Sequence, residues 1–161
     1  ANTKDFYSVH GLLGEKYSVI LDQISSFLKS TSGEVIFLSF AAELFHMDDP
    51  AIRAQFAKML KDKLGNYAYK TTNGNPFDAV YRDIISINGK QQSCVIIEYD
   101  SLNKTDKEFW DRSRLNYVSK WSNTPILEEQ IQDQSEQLRS AIAKKQVFQL
   151  GLALTPSKDD Y

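Results

Sequence analysis

The chain has 161 residues and a mass of 18.4 kDa, with 42% hydrophobic and 25% charged residues. That is ordinary globular composition and excludes a disordered, collagenous or membrane-spanning chain. Lys and Arg number 19 against 21 Asp and Glu, a net charge of −2, so overall charge offers no electrostatic footprint for nucleic acid.

The chain begins at Ala1 rather than Met and enters a hydrophobic segment at Phe6, from which a removed leader or upstream segment is expected. Asp5 to Gly11 is aromatic and β-branched and stops at glycine, which predicts a short strand followed by a loop. Tyr17, Ile20, Leu21, Ile24, Phe27 and Leu28 recur at helical spacing and place one apolar face on a helix that Gly33 ends. Val35 to Phe40 lacks polar alternation, the pattern of a strand covered on both faces.

Asp49-Pro50 is a helix start, since Asp accepts from free backbone N–H groups and Pro at the first position forfeits no needed donor. Ile52, Phe56, Met59, Leu60 and Leu64 mark its buried stripe and Gly65 its end. Asn66 to Pro76 reads as a polar loop, and Phe77 to Ile84 as a short helix. Asn88-Gly89 turns the chain into a strand over Cys94 to Tyr99. Leu115 to Trp121 is a further candidate strand. Thr124-Pro125 opens a long helix with Leu127, Ile131, Leu138 and Ile142 at near-helical spacing. Val147 to Leu154 is the last strand, stopped by Thr155-Pro156. This alternation predicts a parallel sheet with helical crossovers, either an open doubly wound sheet or part of a β/α barrel, in one domain spanning 1–161.

No apolar run reaches the roughly 18 residues of a membrane span. Cys94 is the only cysteine, which excludes an intrachain disulfide framework and a cysteine-rich zinc site while leaving a bond to another chain open. Neither GxGxxG after a strand, nor GxxxxGK[ST], nor GxSxG is present, which removes the common nucleotide-binding and hydrolase readings; no cofactor is called for. Asn103-Lys104-Thr105 is an N-glycosylation sequon, and its use requires the secretory pathway.

His10 ends the first predicted strand. A His there serves as general acid or base near neutral pH, or is a loop histidine without catalytic consequence. His46 reads as a surface residue. Glu43, Glu98 and Asp100 follow strands and are solvated carboxylates, bases or ligands, although none has dedicated metal-site spacing. Tyr99 and Tyr117, near strand ends, are candidates for lining a headgroup pocket. Trp121 reads as core.

Phe6-Tyr7-Ser8-Val9-His10-Gly11, the helix closing in Phe27-Leu28-Lys29 and the strand opening with Glu34-Val35 resemble the X domain of phosphatidylinositol-specific phospholipases C. Trp121-Ser122-Asn123-Thr124 is similar to that family's W-x-N-T phrase, and Leu154-Thr155-Pro156 to the strand end of its X-domain-containing subgroup. The pieces run in the family's order over most of the chain. The resemblance implies a β/α barrel and a pair of histidines, one deprotonating the inositol 2-hydroxyl and the other protonating the departing diacylglycerol oxygen.

His10 matches the second histidine. The first, in a motif like SHN, has no counterpart here. The place of the family's calcium-binding Glu corresponds to Ala41, with Glu43 displaced by two, so the usual calcium coordination is not expected. A complete barrel takes about 250 residues, and this chain supplies roughly five of its eight strands. The expectation is therefore an α/β fold, a partial TIM-like barrel completed by a companion chain or segment that supplies the first strands.

The function expected from the resemblance is phosphodiester cleavage of an inositol phospholipid or related phosphodiester by a secreted protein, His10 being the general acid. The alternative is a barrel that has lost catalysis and serves as a binding or structural module; an unrelated open α/β sheet is a third reading.

Overall fold

The computed structural model describes residues 5–10, 12–40, 49–87, 89–100, 103 and 105–151. The chain divides into two compact units, Ala1–Arg114 and Leu115–Tyr161.

In the first unit, β1 (Tyr7–His10) and β2 (Leu12–Lys16) form an antiparallel hairpin with His10 opposite Leu12, where a strand and a loop were expected. The chain passes directly into α1 (Tyr17–Ser30), whose first N–H donates to the Phe6 carbonyl at 2.8 Å. Leu21 and Leu28 are buried on its inner face. Thr31 satisfies the open C-terminal turn, its N–H and its hydroxyl both donating to the Phe27 carbonyl, at 3.0 and 2.8 Å. Gly33 then takes a φ of +87° that an L side chain rarely adopts.

β3 (Val35–Ser39) is half-buried over its first four residues, with Ser39 exposed. α2 (Pro50–Leu64) begins as its sequence predicts, with the Asp49 carboxylate accepting from the Ala51 N–H at 2.8 Å. Beyond it, the expected polar loop contains two short 3-10 turns, Gly65–Tyr67 and Thr71–Asn73. Between them Ala68 makes a parallel bridge to Val95. α3 is a single turn, Tyr81–Ile84, and beyond it β4 (Ser86–Ile87) pairs antiparallel with β5 (Lys90–Gln91), Asn88 lying outside the described residues.

β6 (Cys94–Glu98) is buried throughout. It pairs in parallel with β3 in an unbroken register from Val35↔Cys94 to Ser39↔Glu98, and on its other side with the two-residue β7 (Phe109–Trp110). Side chains alternate across a strand. Ile36, Leu38 and Phe40 of the first strand and its extension join Val95, Ile97 and Tyr99 against α1 and α2. Phe56 of α2 is the hub, with its ring edge-on to Phe6 at 5.0 Å, Tyr17 at 5.3 Å, Phe40 at 5.3 Å and Tyr99 at 5.5 Å. The other face of the sheet carries Phe37, Ser39, Cys94, Ile96 and Glu98, and Phe37 meets Phe77 at 5.6 Å.

The second unit is a strand–helix–strand: β8 (Tyr117–Ser119), α4 (Leu127–Ala143) and β9 (Val147–Gln149), the strands pairing in parallel. α4 turns Gln130, Gln134 and Ala141 inward, while Leu127, Ile131, Leu138 and Ile142 are exposed. The glutamines hold the strand ends. Gln130 Nε2 donates to the Gly151 carbonyl at 2.9 Å, and Gln134 Nε2 donates to the Lys120 carbonyl at 3.0 Å and the Ser122 hydroxyl at 2.8 Å. Gln134 Oε1 in turn accepts from the Gly151 N–H at 2.9 Å.

The partial TIM-like barrel is not what the chain forms. Among the described residues there are four small sheets, of two, three, two and two strands, and none closes. A barrel wall requires each strand to run parallel to the next through a helical crossover. Here β1 folds back on β2 before α1 begins, so the step from β1 through a helix to β3 is replaced by a hairpin. β7 is two residues long, and β8 and β9 pair with each other. The fold is mixed α/β built on small open sheets.

Candidate functional site

The polar groups of the first unit gather at the carboxyl edge of β3, β6 and β7, the edge outside which open parallel sheets bind their ligands. Four apolar or small residues of β6 end at Glu98, whose side chain is 6% exposed. A carboxylate held out of water needs hydrogen bonds and a counter-charge. Ser39 supplies the first, its Oγ donating to Glu98 Oε2 at 2.6 Å. Arg112 supplies the second, with Nε 3.6 Å from Glu98 Oε1. The Arg112 side chain is 59% exposed, so a buried anion anchors a cation that faces solvent.

Arg112 and Arg114 belong to one 3-10 turn (Arg112–Arg114) directly after β7. The Arg114 guanidinium lies 5.4 Å over the Trp110 ring, a favourable cation–π placement. Trp110 is itself fixed, its Nε1 donating to the Tyr69 carbonyl at 2.9 Å and its ring stacked on Tyr69 at 6.2 Å. Beside this edge Arg53 of α2 pairs with the Asp100 carboxylate at 3.2 Å and also donates to the Asp100 carbonyl. Each of the three guanidinium groups thus has a partner within the unit: Asp100 for Arg53, Glu98 for Arg112 and the Trp110 ring for Arg114. Bidentate geometry makes guanidinium a natural partner of phosphate.

No known family, curated protein or solved structure matches this chain. The site is therefore described by its own chemistry. Among the described residues no group of three His, Cys, Asp or Glu side chains gathers to hold a metal, and no helix is long and apolar enough to cross a membrane.

His10 is the last residue of β1, with its backbone opposite Leu12; its side chain lies outside the described residues, as do Ala41, Glu43 and His46. The foot of β1 is nonetheless placed. Phe6 packs on Phe56, which touches Phe40 at the carboxyl end of β3.

Tyr99 is in the core, its hydroxyl donating to the Arg53 carbonyl at 3.2 Å, and burial pushes its phenol pKa up against the opposing pull of Arg53. Tyr117 is half-buried at the start of β8, in the second unit, and Trp121, read as core from the sequence, is exposed.

Asn103 is exposed and its side chain is oriented locally. Oδ1 accepts from the Thr105 hydroxyl at 2.8 Å and from the Thr105 N–H at 3.2 Å, and Nδ2 donates to Asp106 at 3.1 Å. Cys94 is fully buried in β6, and burial pushes its thiol up to about 11.

Sequence reading weighed Glu98 but missed Ser39 and Arg112. The signal for Glu98 was a charge closing an otherwise apolar strand. Ser39 becomes visible only once the parallel register sets it beside Glu98.

Proposed function

We propose that this chain supplies the acid half of a phosphodiester-cleaving centre of the phospholipase C type, acting on an inositol phospholipid or a related phosphodiester. The observation that carries it is the His10-Gly11 phrase of the sequence, His10 being the last residue of β1. The order of motifs along the chain supports it, and the reading does not need a barrel.

In the reaction, a base histidine on a companion segment or chain takes the proton of the inositol 2-hydroxyl. The freed oxygen attacks phosphorus and the bond from phosphorus to the diacylglycerol oxygen breaks. His10, as imidazolium, donates its proton to that leaving oxygen, giving a cyclic phosphate and diacylglycerol. A general acid of this kind contributes about 10²- to 10⁴-fold to the rate. In this reading Arg112, held by Glu98 at 3.6 Å, offsets phosphate charge.

The test uses the chain together with its companion, found by intact-mass and N-terminal sequencing of native material. His10→Ala is expected to lower cleavage of phosphatidylinositol or of a glycosyl-phosphatidylinositol at least about a hundredfold. Unchanged turnover rules the assignment out.

A second reading is a binding or structural module without catalysis. One observation favours it: Glu98, Ser39 and Arg112 already satisfy one another without a substrate. A companion lacking a histidine that reaches His10, with phosphoinositide binding but no turnover, would decide for this reading.

Secretion belongs to the same proposal. The exposed Asn103, with the Thr105 hydroxyl on its amide oxygen, is expected to carry an N-glycan on material from a secretory host. Loss of the glycan mass in Asn103→Gln checks it, and an unmodified Asn103 in such material refutes it.

A further inference from the structure

α4 presents the wrong face for a helix whose apolar residues simply serve the core. Gln130 and Gln134 face inward, and their four hydrogen bonds to Lys120, Ser122 and Gly151 fix the helix's rotation. That rotation leaves Leu127, Ile131, Leu138 and Ile142 outside, with Ile131 57% and Ile142 68% exposed. At 3.6 residues per turn the four side chains fall within an arc of about 60° along a helix about 25 Å long. A continuous aliphatic stripe of this kind on a surface marks an interaction site.

The spacing of the stripe says what fits it. Its members are separated by four, seven and four residues, a series that reads the same in both directions. A twofold axis crossing α4 between Gln134 and Ser135 therefore lays Leu127 against Ile142 of a second copy and Ile131 against its Leu138. Both ends of the stripe are matched at once. Such self-complementarity is the requirement for an isologous dimer. Ser135, small and half-buried, lies beside the stripe at the crossing point, where two helices approach most closely.

Charge selects the same arrangement. Glu128 and Glu129 stand in the first turn of α4, while Arg139 lies in its C-terminal half and Lys144 and Lys145 follow its last residue, Ala143. Glu128 and Arg139 flank the stripe on the same side, and reversal brings each Glu128 within about half a turn of Arg139 in the other copy. A parallel pairing would instead place Glu128 and Arg139 at different heights along the helix pair and forgo this contact.

We propose that α4 is a homodimer interface, two copies of the chain packing their exposed stripes antiparallel about a twofold axis. The inference is independent of the proposed chemistry. Its area is that of one helix pair, so the association is concentration-dependent rather than permanent.

Sedimentation velocity of the full chain over a concentration series is expected to show a reversible monomer–dimer equilibrium. Ile131→Glu with Leu138→Glu should raise the dimer dissociation constant at least about tenfold, far-UV circular dichroism confirming that the helix content is kept. The exposed charges provide a second measurement that leaves the stripe intact. Glu128→Arg and Arg139→Glu should each weaken the dimer several-fold, and the two together should restore it. A monomer at every concentration overturns the proposal, as does dimerisation indifferent to the stripe substitutions. Failure of the double charge exchange to restore association overturns the antiparallel arrangement, and association only with a different chain assigns the stripe to that partner.

Discussion

Ser39 and Glu98 occupy paired positions on neighbouring parallel strands, and the Ser39 hydroxyl donates a 2.6 Å hydrogen bond to the Glu98 carboxylate. The two residues are unequal partners: the serine is exposed and the carboxylate is buried. Removing one is therefore not equivalent to removing the other.

Ser39→Ala is expected to destabilise the chain by about 1.5–3 kcal/mol, the range for a hydrogen bond to a charged group. The buried anion stays and loses a donor. Glu98→Met removes the anion itself, and Ser39 and Arg112 both turn to water. Arg112 is already 59% exposed, so removing the buried carboxylate leaves no buried charge uncompensated, and this change is expected to alter stability by less than about 1 kcal/mol. Urea unfolding of the two variants checks the order. A larger loss for Glu98→Met than for Ser39→Ala would contradict it.

Cys94 gives a prediction in pH. Burial raises its folded pKa to about 11 from an ordinary value of 9.0. The unfolded thiol therefore ionises first, and between those values the folded state binds more protons. Stability from this group is full below about pH 9 and is lost as pH rises toward 11. The expected result is a decline in unfolding free energy across that interval, less steep in Cys94→Ala. At pH 8 alkylation of Cys94 by iodoacetamide should be slow in the folded chain and rapid in urea. Fast modification of the folded protein would show the thiol to be accessible.

Gln134 ties the segment that follows β8 to the segment that follows β9. Its amide serves the Lys120 carbonyl, the Ser122 hydroxyl and the Gly151 N–H, at 2.8–3.0 Å. Gln134→Leu strands those groups beside an apolar side chain, with a cost of about 1–3 kcal/mol for each that stays buried and unsatisfied. Hydrogen exchange should accelerate at the amides of β8 and β9, while those of β6 keep their protection. Unchanged exchange in β9 would mean that the clamp does not hold the strands.

Several elements were legible in the sequence for physical reasons that are local. α2 begins where Asp49 and Pro50 place it, because capping is decided within a turn. α1 follows its apolar period and β6 lies within the expected strand over Cys94 to Tyr99, whereas β3, expected to be covered on both faces, is only half-buried with Ser39 exposed. The sheet arrangement was not legible. The local composition of β1 suits a parallel sheet and a hairpin alike, the family resemblance favoured the first, and the pairing observed is the antiparallel one with β2. α4 misled differently: its apolar period is real, but three glutamine-anchored backbone groups outcompete it for the inward face. Of the candidate site, Glu98 stood out as a charge on an apolar strand, whereas Ser39 and Arg112 depend on pairings between distant segments.

The parallel pairing of β3 with β6 joins residues 59 apart in the chain, whereas β1 and β2 meet across a few. Hairpins close within about 1–10 μs, and a contact across a long loop must first meet a closure entropy that grows with the logarithm of its length. The Ser39–Glu98 bond therefore carries a larger closure cost than the β1–β2 hairpin, and the site's buried charge is expected to become native after that hairpin has formed.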